Sequence, residues 1–418
     1  MTKFGLKLVA AMLAGASLAI AGPALAQKKP EAAKADAPKP PKLSKPVQKV
    51  LGEVQKLQAA KNDAGALALL DTTDAIPDKT NEDGFWIARL RLNSAQALGD
   101  KAMSVKALAV MIDSGMVPEA DKVKFVRYIG SVALENKDYI TATKRYEELL
   151  ALEPNNADNI VGLAELYQSQ RQTAKAVDTI GKAIAVQKAS GAVVPESWYR
   201  RALGIAYDAK LTTHVRGASL ALLRAYPNPV NWRDAIVILQ DSYPRIDEQT
   251  QVDFLRLQAA TGSLNGERDF IEYADTSLGR GFPGEAQWAL NEGIAKKMLN
   301  PTKPIVIELM KSVDSKVKAD RASLPGLEKE IKGNAKLAVA TADAYYGYGD
   351  FAKAATLYKM AVGNALADQT LVNLRLGASL ARSGDAAGAK AAMQGLTGST
   401  PRDAIAQYWL AWLDGAKG

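Results

Sequence analysis

The sequence predicts an all-α protein built from antiparallel helical hairpins, and three observations carry that reading. From Pro46 onward apolar residues recur at spacings of three and four, with no sustained alternation of strand type. Breakers punctuate the chain at short intervals: Gly99-Asp100, Pro118, Pro154-Asn155-Asn156, Pro195, Pro227-Asn228-Pro229, Pro244, Gly279 to Gly284, Pro301, Pro325, Gly349-Asp350, Gly384-Asp385 and Pro401. Helices of roughly 10–18 residues joined by tight turns follow from that punctuation. Third, the chain repeats itself at a fixed period, the mark of an architecture stacked from identical units.

The first element is an address. Lys3 and Lys7 precede the apolar run Leu8 to Ala21, Gly22-Pro23 ends it, and Ala24-Leu25-Ala26 offers a small-x-small cleavage pattern, so 1–26 reads as a secretory signal peptide. Fourteen helical residues span about 21 Å, short of a ~30 Å hydrocarbon core. No later stretch reaches the ~18 apolar residues of a membrane span, so the mature chain is expected to carry no integral membrane segment. The second element, 27–46, is a Lys/Pro/Ala-rich linker expected to be disordered, since proline removes donors and like charges repel. Its lysines also suit contact with an anionic envelope polymer.

The formal charge of +8 divides unevenly. The signal peptide holds +2, Gln27–Lys49 holds +5, and the rest of the chain holds +1. A near-neutral body offers no counterion-release drive, so nucleic acid is not an expected partner.

The helices follow in order. Val47, Val50, Leu51, Val54 and Leu57 line one face of the first, and Leu98-Gly99-Asp100 with Leu108 is a worn hairpin turn. Gly130, Ala142, Tyr146, Leu149 and Pro154 are matched 34 residues on by Ala164, Ala176, Ile180, Ala183 and Lys188. Leu203-Gly204 with Tyr207 starts a third unit, degraded where Arg216 replaces a small residue. Tyr345, Gly349-Asp350-Phe351, Ala354, Tyr358 and Ala361 are matched 35 residues on by Leu380, Gly384-Asp385-Ala386, Ala389, Met393 and Leu396. Ile405, Tyr408, Trp409 and Trp412 form the apolar face of a closing helix, with Gln407 and Asp414 on its water side.

At these residues the chain resembles the tetratricopeptide repeat family. The pattern fits at 123–190 and 335–403, partly at 197–230, and poorly at 47–122 and 231–334. The resemblance implies a right-handed superhelical solenoid of antiparallel hairpins. The expected organisation is an N-terminal array over 47–230, degenerate repeats over 231–334 with a hinge near 276–304, and a C-terminal pair with capping helix over 335–418. It also implies a concave groove lined by the first helix of each repeat, which here picks out Lys124, Arg127, Glu165, Gln168, Trp198, Arg201 and Tyr346. Trp198 and Tyr199 are its expected anchors, because aromatics give large area at low entropic cost. The carboxylate-binding version of the groove uses asparagines with lysines, and the equivalent positions here hold Tyr128, Ser131, Gly162, Glu165, Ala202 and Ile205, with no asparagine, so a chaperone C-terminus is a poor ligand.

Catalytic readings find little support. There is no cysteine, which removes disulfides, thiolate metal sites and thiol nucleophiles. The one histidine, His214, is expected in an exposed inter-helix turn. Gly279-Arg-Gly-Phe-Pro-Gly284 spells a dinucleotide fingerprint but follows a helical pattern, not a strand. Asn81-Glu-Asp-Gly84 resembles a calcium loop, yet Lys79 and Leu90 occupy its first and twelfth ligand positions. Glu165, Asp269, Glu272 and Asp343 could supply a carboxylate pair, but charged residues at these spacings read as solvated helix faces. No cofactor, metal or catalytic residue is expected. The reading is an exported, non-enzymatic scaffold in the periplasm that binds an envelope protein or peptide. The alternative is a helical-solenoid protein that binds or hydrolyses cell-wall glycan.

Overall fold

The computed structural model describes residues 42–415. The expected signal peptide and residues 27–41 of the expected linker lie outside them. Among the described residues there are twenty α-helices, one 3-10 turn and no strand, as the periodicity predicts. The chain divides into two compact units, with the boundary between Gln172 and Thr173.

The first unit holds α1 (Lys45–Ala59), α2 (Asp63–Asp71), a 3-10 turn (Thr72–Ala75), α3 (Asn81–Ala97), α4 (Lys101–Asp113), α5 (Glu119–Glu135), α6 (Tyr139–Leu152) and α7 (Ala157–Ser169). Consecutive helices pack as hairpins α1/α2, α3/α4 and α5/α6. Side-chain caps start most of them. Asn62, Asp100, Asp138 and Asn156 each accept a backbone N–H of the first turn. Thr80 and Asp83 form a reciprocal capping box on α3, so Asn81-Glu-Asp-Gly84 is a helix start and no ion loop. Such a cap is worth about 1 kcal/mol. At Gly99 the backbone turns with φ +73°, a left-handed conformation that glycine adopts without a Cβ penalty.

Small residues of the repeat receive large ones. A Cβ on Gly162 would stand 2.3 Å from Tyr146 Cε1, and one on Gly130 3.4 Å from the same ring. Tyr146 on α6 therefore seats against both α5 and α7, which is why the 34-residue pattern pairs a small position with an aromatic.

The second unit holds α8 (Thr173–Ala189), α9 (Glu196–Asp208), α10 (Thr212–Ala225), α11 (Pro229–Asp241), α12 (Glu248–Ala260), α13 (Glu267–Gly279), α14 (Pro283–Ala295), α15 (Pro304–Glu330), α16 (Ala335–Gly347), α17 (Phe351–Lys359), α18 (Gln369–Arg382), α19 (Ala386–Met393) and α20 (Pro401–Gly415). Hairpins α9/α10, α13/α14, α16/α17 and α18/α19 repeat the architecture of the first unit.

Four features depart from the sequence expectation. Helix α15 is 27 residues long and runs through Pro325, where a stop is expected. Pro325 sits on an exposed stretch, so the Arg321 carbonyl it deprives of a donor remains within reach of water. The 276–304 region forms no hinge: α13 and α14 pack tightly across the turn at Gly281, within one unit. Helix α12 is buried on every side from Val252 to Gln258. Helix α20 caps α18 and α19 but also packs on α10 and α12, and its Tyr408 meets Trp232 of α11 at 6.3 Å between ring centroids. Its Gln407 bonds the Leu396 carbonyl at 2.8 Å instead of facing water alone. Arg216, the residue that degrades the third repeat, donates to the Gly398 carbonyl at 2.8 Å and ties α10 to the turn before α20.

Candidate interaction surfaces

In the first unit the residues expected to line a groove lie on α5 and α7. Arg127 Nη1 donates to Asn159 Oδ1 at 2.7 Å and Nη2 to Glu153 Oε2 at 2.8 Å, so its guanidinium is held between two repeats. Lys124 is half-buried one turn earlier and pairs with Asp121 at 2.8 Å. Glu165 and Gln168 are exposed on α7. On α3, Arg89 stacks over Trp86 with its guanidinium carbon 4.9 Å from the ring centroid. Burial lowers the Arg89 pKa, and nearby Asp121 works against that shift. Sequence reasoning missed Trp86 and Arg89, although an aromatic and a cation three residues apart on one helix was a usable signal.

In the second unit the residues expected to line a groove separate. Trp198 and Arg201 on α9 are half-buried. Tyr199, named beside Trp198 as an anchor, is 1% exposed and meets Tyr226 edge-on. It is core and offers no anchor. Tyr346 on α16 is corrected in the same way. It is 6% exposed, with the Arg256 guanidinium carbon 4.3 Å from its ring centroid, and burial lifts its pKa to about 12.

The reason is an ion network that fills the interior of this unit. Asp253 and Arg256 enter it from α12, Tyr273 from α13, Glu285 from α14, Asp343 from α16, Tyr358 from α17 and Arg375 from α18. Arg256 grips Glu285 through Nε at 3.0 Å and through Nη2, and reaches Asp343 Oδ1 through Nη1 at 3.0 Å. Arg375 donates to Asp253 Oδ1, Asp343 Oδ2 and Gln249 Oε1 at 2.8, 2.8 and 2.7 Å. Tyr273 donates to Glu285 Oε2 at 2.8 Å and Tyr358 to Asp343 Oδ1 at 2.5 Å. Three buried carboxylates face two buried guanidiniums. Arg402 on α20 adds a third cation from the edge, 3.4 Å from Asp253 Oδ2. Burial opposes the charge on Arg256, but Glu285, Tyr358 and Asp343 hold it protonated. Burial first, and the adjoining carboxylates second, push the Tyr273 and Tyr358 hydroxyls well above their ordinary range.

The carboxylates weighed for hydrolysis are thereby placed. Asp343 is 3% exposed and locked by both arginines, so the expectation of a solvated face is wrong there. Asp269 accepts from Arg233 and from the Asn265 N–H, and Glu272 from Gln251. Glu165 is exposed far along the chain in the other unit. His214 lies in the first turn of α10, not in the turn before it, with Nε2 3.4 Å from Asp178 Oδ1. No cluster of three or more metal-ligating side chains is found among the described residues. No helix among them is long and apolar enough to cross a membrane.

A tetratricopeptide repeat family model matches residues 133–193. No curated protein matches the sequence. Among solved structures the chain is similar to MamA 41-end from Desulfovibrio magneticus RS-1, at 14% identity over 49% of this chain and 99% of that one, with a TM-score of 0.25. It is similar to the C-terminal part of a TPR repeat-containing protein from Cytophaga hutchinsonii, at 14% identity over 62% and 98%, TM-score 0.29. It is also similar to yeast Tom70, at 11% identity over 89% of each chain, TM-score 0.23. TM-scores this low carry no argument about what the chain does. The family match instead falls on the stretch where Tyr146 of α6 seats against Gly162 of α7, and residues 133–193 are similar to the tetratricopeptide repeat.

Proposed function

We propose that this protein is an exported, non-catalytic scaffold that holds a protein or peptide partner on the first-helix face of its N-terminal unit. The observation that carries the reading is the contrast in how the two units use their polar residues. On α5 and α7, Lys124, Arg127, Glu165 and Gln168 reach the surface in successive repeats. In the second unit the comparable residue Tyr346 is sealed over an internal ion network. A surface of alternating cation, anion and amide suits a polar or charged peptide, whose hydrogen bonds such side chains can replace. Trp198 and Arg201 on α9 offer a separate, smaller face. The non-catalytic part rests on engagement: Asp269 and Asp343 are held by arginines and are not available to activate water.

The test is photocrosslinking in the native cell from positions beside Arg127 and Glu165, followed by mass spectrometry. Partner adducts should form in the parent and fall severalfold in Arg127→Glu and in Glu165→Lys. An adduct pattern that both charge reversals leave intact would sink the assignment of this face. Export is tested separately by the N-terminus of the mature protein, expected at Gln27.

A further inference from the structure

Between α17 and α18 the chain passes through residues 360–368, Met-Ala-Val-Gly-Asn-Ala-Leu-Ala-Asp. This connection is pinned from within. The Gln369 amide donates to the carbonyls of Ala361, Asn364 and Ala367 at 3.1, 2.8 and 3.2 Å, and its oxygen accepts from the Gly363 N–H at 2.8 Å. Asn364 Oδ1 accepts from the Leu366 N–H at 3.0 Å. Ala361 is buried against Ala335 and Val372. One glutamine thus uses most of its hydrogen-bonding capacity to shape a connection whose residues 360–367 contain no charge.

What the loop presents is apolar. Met360, Val362 and Leu366 are 59, 46 and 72% exposed within seven residues. Single exposed apolar residues are ordinary, but three on one pinned loop form a patch that water solvates poorly. Lysines adjoin it. Lys359 precedes Met360 directly. Helices α16 and α17 run antiparallel, and Ala335 packs on Ala361, so Lys336 at the start of α16 stands beside the loop, with Lys332 one turn before it. All three lysines are exposed. Two acids share this end: Asp368, which Arg402 takes at 3.1 Å, and Glu330 at the end of α15.

We propose that loop 360–367 and its lysine collar dock on an anionic lipid bilayer. Met360, Val362 and Leu366 enter the boundary between headgroups and acyl chains, while Lys332, Lys336 and Lys359 meet anionic headgroups. An apolar tip ringed by ammonium groups finds both of its needs in that one interface, hydrocarbon below and negative charge around it. A pinned loop pays little ordering entropy on insertion. The inference rests on the second unit alone and is independent of the partner face on α5 and α7.

The chain has no cysteine, so Leu366→Cys accepts one environment-sensitive fluorophore at the tip. Its emission should shift blue with phosphatidylcholine vesicles containing one-third phosphatidylglycerol, stay unchanged with phosphatidylcholine alone, and return at high salt. The same label at exposed Ile140 in the first unit should not respond. Lys336→Gln with Lys359→Gln should weaken partition about twenty-five-fold, from roughly fivefold per lysine. Sedimentation with vesicles without a shift at 366 would assign binding to the N-terminal lysines and overturn the proposal. So would equal shifts with neutral vesicles, or a concentration-dependent shift without vesicles, which would mark a second copy as the occupant.

Discussion

The two units of this chain solve one packing problem in different ways. In the first, α5, α6 and α7 seat an aromatic ring against glycines and keep charged side chains at the surface, where Arg127 bridges neighbouring helices. In the second, α12 lies buried on all sides, and helices α13, α14, α16, α17 and α18 converge on its Asp253 and Arg256. The difference teaches that a repeat array can turn its inner face from a surface into a core. The requirement is that every buried charge be met, because an unpaired ion in a low-dielectric interior costs several kcal/mol. The regular pattern persists at 123–190 and again at 335–403, where α16, α17 and α18 line the buried network. It decays over 231–334, where the chain supplies its own filling.

The largest expected effect breaks this contrast at its centre. Arg375→Ala strips Asp253 and Asp343 of their shared guanidinium, leaving three buried carboxylates to Arg256 inside the unit and Arg402 at its edge. The second unit should lose about 3–5 kcal/mol, seen in urea unfolding and as hydrogen exchange confined to 173–415. The counterpart in the first unit, Arg127→Ala, removes a part-exposed pair and should cost under about 1 kcal/mol. Equal losses in the two variants would erase the distinction between the units.

Alkaline pH should come next. Tyr346 has a folded pKa of about 12 against an ordinary value of 10.0, with burial as the leading cause. Between those values the unfolded chain has released the proton and the folded chain has kept it, so stability falls as pH rises. Its contribution is whole below pH 10 and lost by about pH 12, up to about 3 kcal/mol from this residue. Tyr273 and Tyr358 shift in the same direction. The second unit should therefore open first in an alkaline titration, and Tyr346→Phe should move its midpoint upward in pH. A first unit that opened earlier would count against the network as the alkaline weak point.

The smallest effect sharpens the geometry. A Cβ on Gly347 would stand 2.9 Å from the Glu285 backbone nitrogen, where α16 crosses α14. Gly347→Ala should cost about 1–3 kcal/mol in thermal unfolding, because backbone cannot step aside as a side chain can. Gly181→Ala on α8 meets nothing within 4 Å and should raise stability by up to about 1 kcal/mol.

Much of the fold was legible. The helical periodicity, the turns at Gly99-Asp100, Gly349-Asp350 and Gly384-Asp385, and the small-aromatic pairing around Tyr146 are local, and local chemistry writes them into the chain. The interior of the second unit was not. Asp343 and Arg375 stand 32 residues apart, and Asp253 and Arg375 122. In sequence each reads as one more charged residue on a helix. The signal that could have exposed α12 was the pair Asp253 and Arg256 within an otherwise apolar Val252–Leu257, a frame in which a solvated face has no room. Tyr346 was misread for a related reason: periodicity shows which face of a helix is apolar, but not what that face meets.

By itself the sequence determined an all-α chain, many of the turns that separate its helices, and the repeat that pairs them, since hydrogen bonding within a turn and burial every three or four residues are properties of neighbours. Only the tertiary structure decided which inner face is surface and which is core. Burial of a charge depends on partners brought from helices far apart in the chain, and α20 reaching back to α10 and α12 is an event no local pattern encodes. That physical distinction separates the side chains this protein spends on holding itself together from those it can offer to a partner.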